Sequence, residues 1–89
     1  MKRTRTKEEI KEMRQQFAKS IERGELGLAE ATRQMRHIVG KTIPDYAKIL
    51  KISERTLSDI ENNAGNPKLE TLQKIAKPFG LKISFTSKL

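Results

Sequence analysis

Two capping hydroxyls placed close together constrain this chain most. Thr42 stands before Ile43-Pro44-Asp45, and Ser53 stands before Glu54-Arg55-Thr56. Each offers a side-chain oxygen to the orphan N–H groups of a helix's first turn. Pro44 falls inside the first turn after Thr42, where its missing N–H costs nothing. Tyr46, Ala47 and Leu50 supply one short inner face, and Lys51-Ile52 leaves room only for a tight link. After Ser53, Leu57 and Ile60 form the buried face, while Glu54, Arg55, Ser58, Asp59 and Asn62 point elsewhere. The chain is thereby committed to two short helices in succession.

The rest follows the same logic. Residues 1–7, MKRTRTK, hold cations and no acid and are expected as a basic flexible arm. Thr6 with Glu9 makes a capping-box pattern, and Ile10, Met13, Phe17 and Ile21 run down one side of a helix over about residues 7–23, within an N-terminal block 8–25 ended by Gly24. This apolar stripe is narrow enough to face the domain, a sister subunit or another protein. A second helix is expected over about 28–38, with Leu28, Ala31, Met35 and Ile38 inward and Gly40 as a left-handed cap. The run from Asn62 to Pro67 is turn chemistry throughout. A further helix then has Leu69, Leu72, Ile75 and Ala76 inward. Pro78 should end it early or kink it. In the tail, residues 81–89, Leu81, Ile83 and Phe85 alternate with polar residues, a half-buried strand signal. No second strand is visible to pair with it. The economical solution is the same strand from another copy across a two-fold axis; the alternative is a disordered tail. The fold class expected is all-α, with a C-terminal β-strand that pairs across a dimer.

Composition narrows the function classes. A chain of 89 residues makes one small domain with some extension, and its core is limited. With no cysteine there is neither disulfide nor thiolate metal site, and a single histidine, His37, makes no metal cluster. His37 is expected on a helix surface. The net charge of +8 points to a polyanionic partner. No apolar run approaches the ~18 residues of a membrane span, and the basic N-terminus lacks a signal peptide's apolar stretch. A soluble, cytoplasmic, nucleoid-associated protein is expected, with no membrane partner. A Gly-rich phosphate loop and a His/acid/nucleophile set are both missing, so neither an enzyme nor a cofactor is expected.

A short helix, a tight link and a second capped helix make a helix-turn-helix, whose second helix lies in the major groove. The fuller pattern combines Arg36, Gly40, Thr42, Ala47, Ile52-Ser53, Ile60-Glu61-Asn62, Asn66-Pro67 and Leu69-Glu70-Thr71-Leu72. On these residues, positions 28–80 resemble the helix-turn-helix domain of the Cro and phage-repressor family, often called Xre. The closing stretch LSDIENNAGNPKLETLQKIAKPFGLKISF looks more narrowly like HipB-type antitoxins, small dimeric repressors with a terminal strand.

The resemblance implies roles. Ser53, Glu54, Arg55, Ser58 and Asp59 would meet bases, with Arg55 fitting guanine O6 and N7. Lys41, Thr42, Ile43, Thr56, Asn62, Asn63 and Lys68 would meet the DNA backbone. The family usually has glutamine where Ile43 stands; isoleucine lacks that hydrogen bond and would instead meet a thymine methyl. A capping hydroxyl is often found where Lys68 is, so lysine forgoes a cap and gains a phosphate contact. Arg36 and Glu61 would form an ion pair inside the domain. Leu81, Ile83 and Phe85 would carry dimerisation. The partners implied are double-stranded operator DNA, a second copy of the chain and a cognate toxin, kinase-like or RNA-cutting. The alternative is a phage-type or other Xre-family regulator without a toxin. One tension remains: the helix meant to read DNA carries Glu54, Asp59 and Glu61 against a single Arg55.

Overall fold

In the computed structural model, which describes residues 5–85 and residue 87, the helices start at the capping hydroxyls. Thr6 Oγ1 accepts from the Glu9 N–H at 3.1 Å and Glu9 Oε1 accepts from the Thr6 N–H at 3.2 Å, closing the capping box of α1 (Lys7–Glu22). α2 (Leu28–Val39) ends on Gly40, whose φ of 68° is the left-handed cap. Thr42 accepts from the Asp45 N–H at the head of α3 (Ile43–Leu50). Ser53 accepts from the Thr56 N–H at 3.0 Å at the head of α4 (Glu54–Glu61). α5 (Leu69–Ala76) begins at Lys68 with no side-chain cap, since an ammonium has no acceptor to offer. Pro78 then tightens the chain into a 3₁₀ turn, Lys77–Phe79, closed by Gly80.

α4 sits between α2 and α3, and α1 lies on α2. Met35, Ile38, Tyr46, Leu50, Leu57, Ile60 and Ile75 form the core. The stripe of α1 turns onto the domain: Phe17 is buried, with Ile10, Met13 and Ile21 half-covered beside it. The Phe17 ring meets Phe79 edge-on, centroids 5.4 Å apart. Arg14 lies over the Phe79 ring at 4.3 Å and donates to the Pro78 carbonyl at 3.3 Å. α1 is thus held to the C-terminal end of the bundle as well as to α2.

Several expectations need correction. Leu28 and Leu69 are not inward; they are 43% and 58% exposed. Each is the first residue of its helix, and that first turn overhangs the core. Thr32 takes the buried place on α2, its hydroxyl donating to the Leu28 carbonyl at 2.7 Å. Residues 81–85 form no strand. Among the described residues no second strand offers them N–H and C=O partners. Leu81 instead packs at the edge of the core, while Ile83 and Phe85 are exposed. The basic arm is only partly within the described residues, since 1–4 lie outside them. Arg5 donates to the His37 carbonyl at the end of α2, and Lys7 already belongs to α1.

One cluster fixes how α4 sits. Arg36 Nε lies 2.8 Å from Glu61 Oε2 and Arg36 Nη2 lies 2.9 Å from Glu61 Oε1, a two-bond fork between α2 and the last residue of α4. The third arm of the guanidinium donates to the Lys41 carbonyl at 3.1 Å, just before α3. The Glu61 side chain is 4% exposed and that of Arg36 17%. The Glu61 hydrogen bonds push the Arg36 pKa further up. On the alkaline side its contribution is therefore complete below the ordinary arginine range. Arg33, one turn earlier on α2, donates to the Glu61 carbonyl and to Glu30 Oε2. The Arg33 hydrogen bond, helped by Gln34, lowers the Glu30 pKa. α4 has no basic residue in its own last turn; Arg33 supplies from α2 the cation that a helix C-terminus favours.

Tyr46 is 1% exposed and its hydroxyl has no hydrogen-bond partner among the described residues. Burial pushes its pKa up. A raised pKa favours the protonated fold. This contribution is complete below the ordinary tyrosine value and is lost as pH climbs through the folded one.

Two predictions follow for stability. Arg36→Ala leaves the Glu61 carboxylate buried without its partner and should cost about 3 kcal/mol, read as a lower melting temperature. Replacing both partners together, Arg36→Met with Glu61→Leu, should restore much of it. An unchanged melting temperature for Arg36→Ala would refute the clamp. Tyr46→Phe removes a hydroxyl that makes no bond and should be neutral or stabilising by up to ~1 kcal/mol. It should also flatten the loss of stability above about pH 10; an equally steep alkaline limb would show that Tyr46 is not its source.

Candidate nucleic-acid interface

α4 follows α3 through a link that closes on itself. The Lys51 N–H donates to the Lys48 carbonyl at 3.2 Å and the Ile52 N–H to the Ala47 carbonyl at 3.0 Å. Lys51 takes a left-handed φ of 61° to make this turn. Its carbonyl accepts from Lys74 Nζ at 3.3 Å, so α5 supports the link. With Leu57, Ile60 and Glu61 turned inward, the opposite side of α4 is set. Ser53, Glu54 and Arg55 are exposed at its N-terminal edge, and Thr56, Ser58 and Asp59 are half-buried behind them.

The side chains expected to meet bases therefore lie on one helix. Arg55 extends with its side chain 92% exposed, its Nε 4.0 Å from Asp59 Oδ2. Such a loose, exposed pair is worth little and opens at small cost. Glu54 occupies the first turn, where a carboxylate suits the helix dipole. The Ser53 hydroxyl serves the Thr56 N–H and donates to Thr56 Oγ1 at 2.7 Å, so both hydroxyls are tied to the cap.

The residues expected at the DNA backbone are more scattered. Lys41 and Thr42 are exposed before α3. The Thr42 hydroxyl serves Asp45 and Pro44 has no N–H, which narrows the anion-facing donors of this end to the N–H groups of Thr42 and Ile43. The Ile43 side chain is half-buried against the core, so only part of it remains for a base methyl. Asn62 is exposed, but its Nδ2 donates back to the Ser58 carbonyl at 2.8 Å and caps α4. Asn63 takes a left-handed φ of 56° in the following turn. Lys68 is exposed at the head of α5.

The charge of α4 can now be sorted. Glu61 faces Arg36 inside the domain, and Asp59 faces Arg55. Glu54 is the acid left at the exposed edge. Arg33 and Arg5 were not singled out in the sequence. Arg33 shares the Arg36 face one turn away, a spacing signal that points to Glu61 in hindsight. Nothing in the pattern around Arg5 indicates the His37 carbonyl as its acceptor. Among the described residues no group of His, Cys, Asp or Glu is arranged to hold a metal ion. No helix among them is long and apolar enough to cross a membrane.

Comparison with known proteins agrees with this geometry. A helix-turn-helix family model matches residues 33–85, which take in most of α2, all of α3, α4 and α5, and the segment to Phe85. α1 lies outside that match. The chain is similar to the HTH-type transcriptional regulator DdrOP3 of Deinococcus deserti, 39% identical over 56 residues, 63% of this chain and 43% of the relative. The chain thus spans less than half the length of that relative. No solved structure matches. With the match covering more than half of the chain, the protein belongs to the helix-turn-helix family of the Cro and phage-repressor type.

Proposed function

We propose that this chain is a transcription regulator that binds duplex DNA sequence-specifically through α4. The observation that carries the reading is the clamp of Arg36 and Arg33 on Glu61. It turns the apolar side of α4 inward and leaves Ser53, Glu54 and Arg55 at the exposed edge of the second helix of the motif. Arg55 gives direct readout of guanine. Glu54 and Asp59 accept from cytosine N4, with Ser53 and Ser58 beside them. Lys41, the first-turn N–H groups of α3, Thr56, Asn63 and Lys68 face phosphates. The similarity to a relative named as an HTH-type transcriptional regulator supports the same reading.

The regulator acts as a homodimer, repressing by occupying an operator with two copies of α4 about one duplex turn apart. Support for the dimer comes from the tail. Ile83 is 46% exposed and Phe85 fully so, on a segment whose backbone groups lack strand partners among the described residues. Pairing two tails covers both. The likeness of residues 57–85 to HipB-type antitoxins supports a second role, in which the same chain binds a toxin and represses its own operon. Co-purification with the product of the adjoining reading frame tests that role, and a regulator with no such partner is the alternative.

Arg55→Ala should keep the melting temperature and lose roughly tenfold to a hundredfold in preference for a duplex selected from a randomised pool. Undiminished preference would move the readout off α4. Lys68→Ala should instead weaken all duplexes alike and lower the salt slope by about one ion. Phe85→Asp should shift the sedimentation coefficient from dimer to monomer with the helical content unchanged; an unshifted dimer would place the two-fold contact elsewhere.

A further inference from the structure

We propose that the groove between α1 and the Lys77–Leu81 segment is a docking site for an acidic, amphipathic helix of a partner protein. It goes beyond DNA binding and deepens the protein-partner reading, on which it rests. The groove has a volume of about 490 Å³. Its floor is apolar, formed by Ile10, Ala18, Phe79 and Leu81. Its rim carries Lys7, Lys11 and Arg14, and no acid lines it. No lining residue belongs to α3 or α4, so the groove is separate from the proposed DNA-reading edge.

The shape favours a helix as occupant. Lys7, Ile10, Lys11, Arg14 and Ala18 recur at helical spacing along one side of α1. They make a straight wall about 16 Å long. An amphipathic helix laid beside such a wall places apolar anchors on the floor and presents its flanks to the rim. The charge fixes the sign of those flanks. Lys7 and Lys11 are exposed. Arg14 is held in place by the Phe79 ring and the Pro78 carbonyl. Its planar fork carries further donors that suit a carboxylate. The same charge argues against the chain's own tail as occupant. Residues 81–89, LKISFTSKL, carry Lys82 and Lys88 and no acid, so a second copy's tail would bring cations to a cationic rim.

The test uses the full chain and two synthetic helical peptides with the same Leu/Phe face, one flanked by Glu and the other by Lys. Titration calorimetry should show the Glu peptide binding at least about tenfold more tightly than the Lys peptide, with the difference shrinking at high salt. Amide shifts should map to α1 and residues 77–81. Lys11→Glu, which takes the rim from three cations to a net charge of one, should narrow the preference, and Ala18→Arg, which fills the floor, should abolish binding of both. Both substitutions are at exposed positions and should leave the melting temperature unchanged. Equal binding of the two peptides, no binding of either, or shifts mapping elsewhere would overturn the proposal. So would self-association lost in Ala18→Arg, which would make a second copy the occupant. Binding of the selected duplex is measured alongside: its absence with the Glu peptide still bound would sink the DNA reading and leave the groove standing.

Discussion

The orientation of α4 depends on one guanidinium. Eight residues make too short a helix to hold its own shape in water, so tertiary contacts must supply it. Leu57 and Ile60 set how deep α4 sits, but two apolar side chains leave rotation about its axis loosely defined. The Arg36 fork on the Glu61 carboxylate removes that freedom, because both bonds hold only at one azimuth. The same group binds the Lys41 carbonyl, so the entrance to α3 and the exit of α4 are referred to one point. A pair this buried is a weak source of net stability, since desolvation offsets much of the attraction. Its value lies in geometry: it decides which residues of α4 face outward.

That decision also resolves the acidity of α4. Counted as sequence, the helix repels a polyanion. Counted as structure, its most buried acid is neutralised inside the domain and a second is loosely paired on the surface. An exposed arginine held at 4.0 Å by a neighbouring carboxylate keeps its fork near the helix surface without being fixed there. Under the proposed readout, Arg55 would exchange one anion for another at a phosphate, whereas a guanine edge would offer it two directed bonds and release Asp59 toward solvent or a cytosine amine. On the proposed reading, an acidic α4 on a chain of net charge +8 would separate selection from attraction, which lysines elsewhere would supply.

What was legible in the sequence was what is local. Thr6, Thr42 and Ser53 mark helix starts because a capping bond spans three residues, and Gly40 and Pro78 mark ends for equally local reasons. The inner faces of α3 and α4 follow from spacing alone. Leu28 and Leu69 misled because a periodic pattern locates a face but not where the core stops along it. Arg5, Arg14 and Arg33 were illegible in a different way. Each finds a carbonyl on a distant element, and a long flexible cation leaves no periodic trace of its acceptor. Arg36 was legible only through the family resemblance, which carries tertiary information that spacing does not. The tail stands between: the alternation of Leu81, Ile83 and Phe85 is plain, but Leu81 packs half-buried at the edge of its own chain's core.

α1 shows why the addition to the family domain bears on the rest. Phe17 is buried against Phe79, and Arg14 lies over the same ring, so the extension closes the core at the end where α5 gives way to the tail. The domain and α1 cannot be varied independently, since removing α1 would expose Phe79 and loosen the turn that launches residues 81–85. The same contact makes the proposed groove and the proposed dimer contact neighbours on one short segment. Leu81 lines the first, and Ile83 and Phe85 carry the second. A ligand in the groove that prefers one path of this segment must shift dimerisation, and dimerisation must shift the ligand's affinity by the same factor. If the proposed dimer places two copies of α4 on two half-sites, that coupling would extend to DNA with no contact between the groove and the duplex.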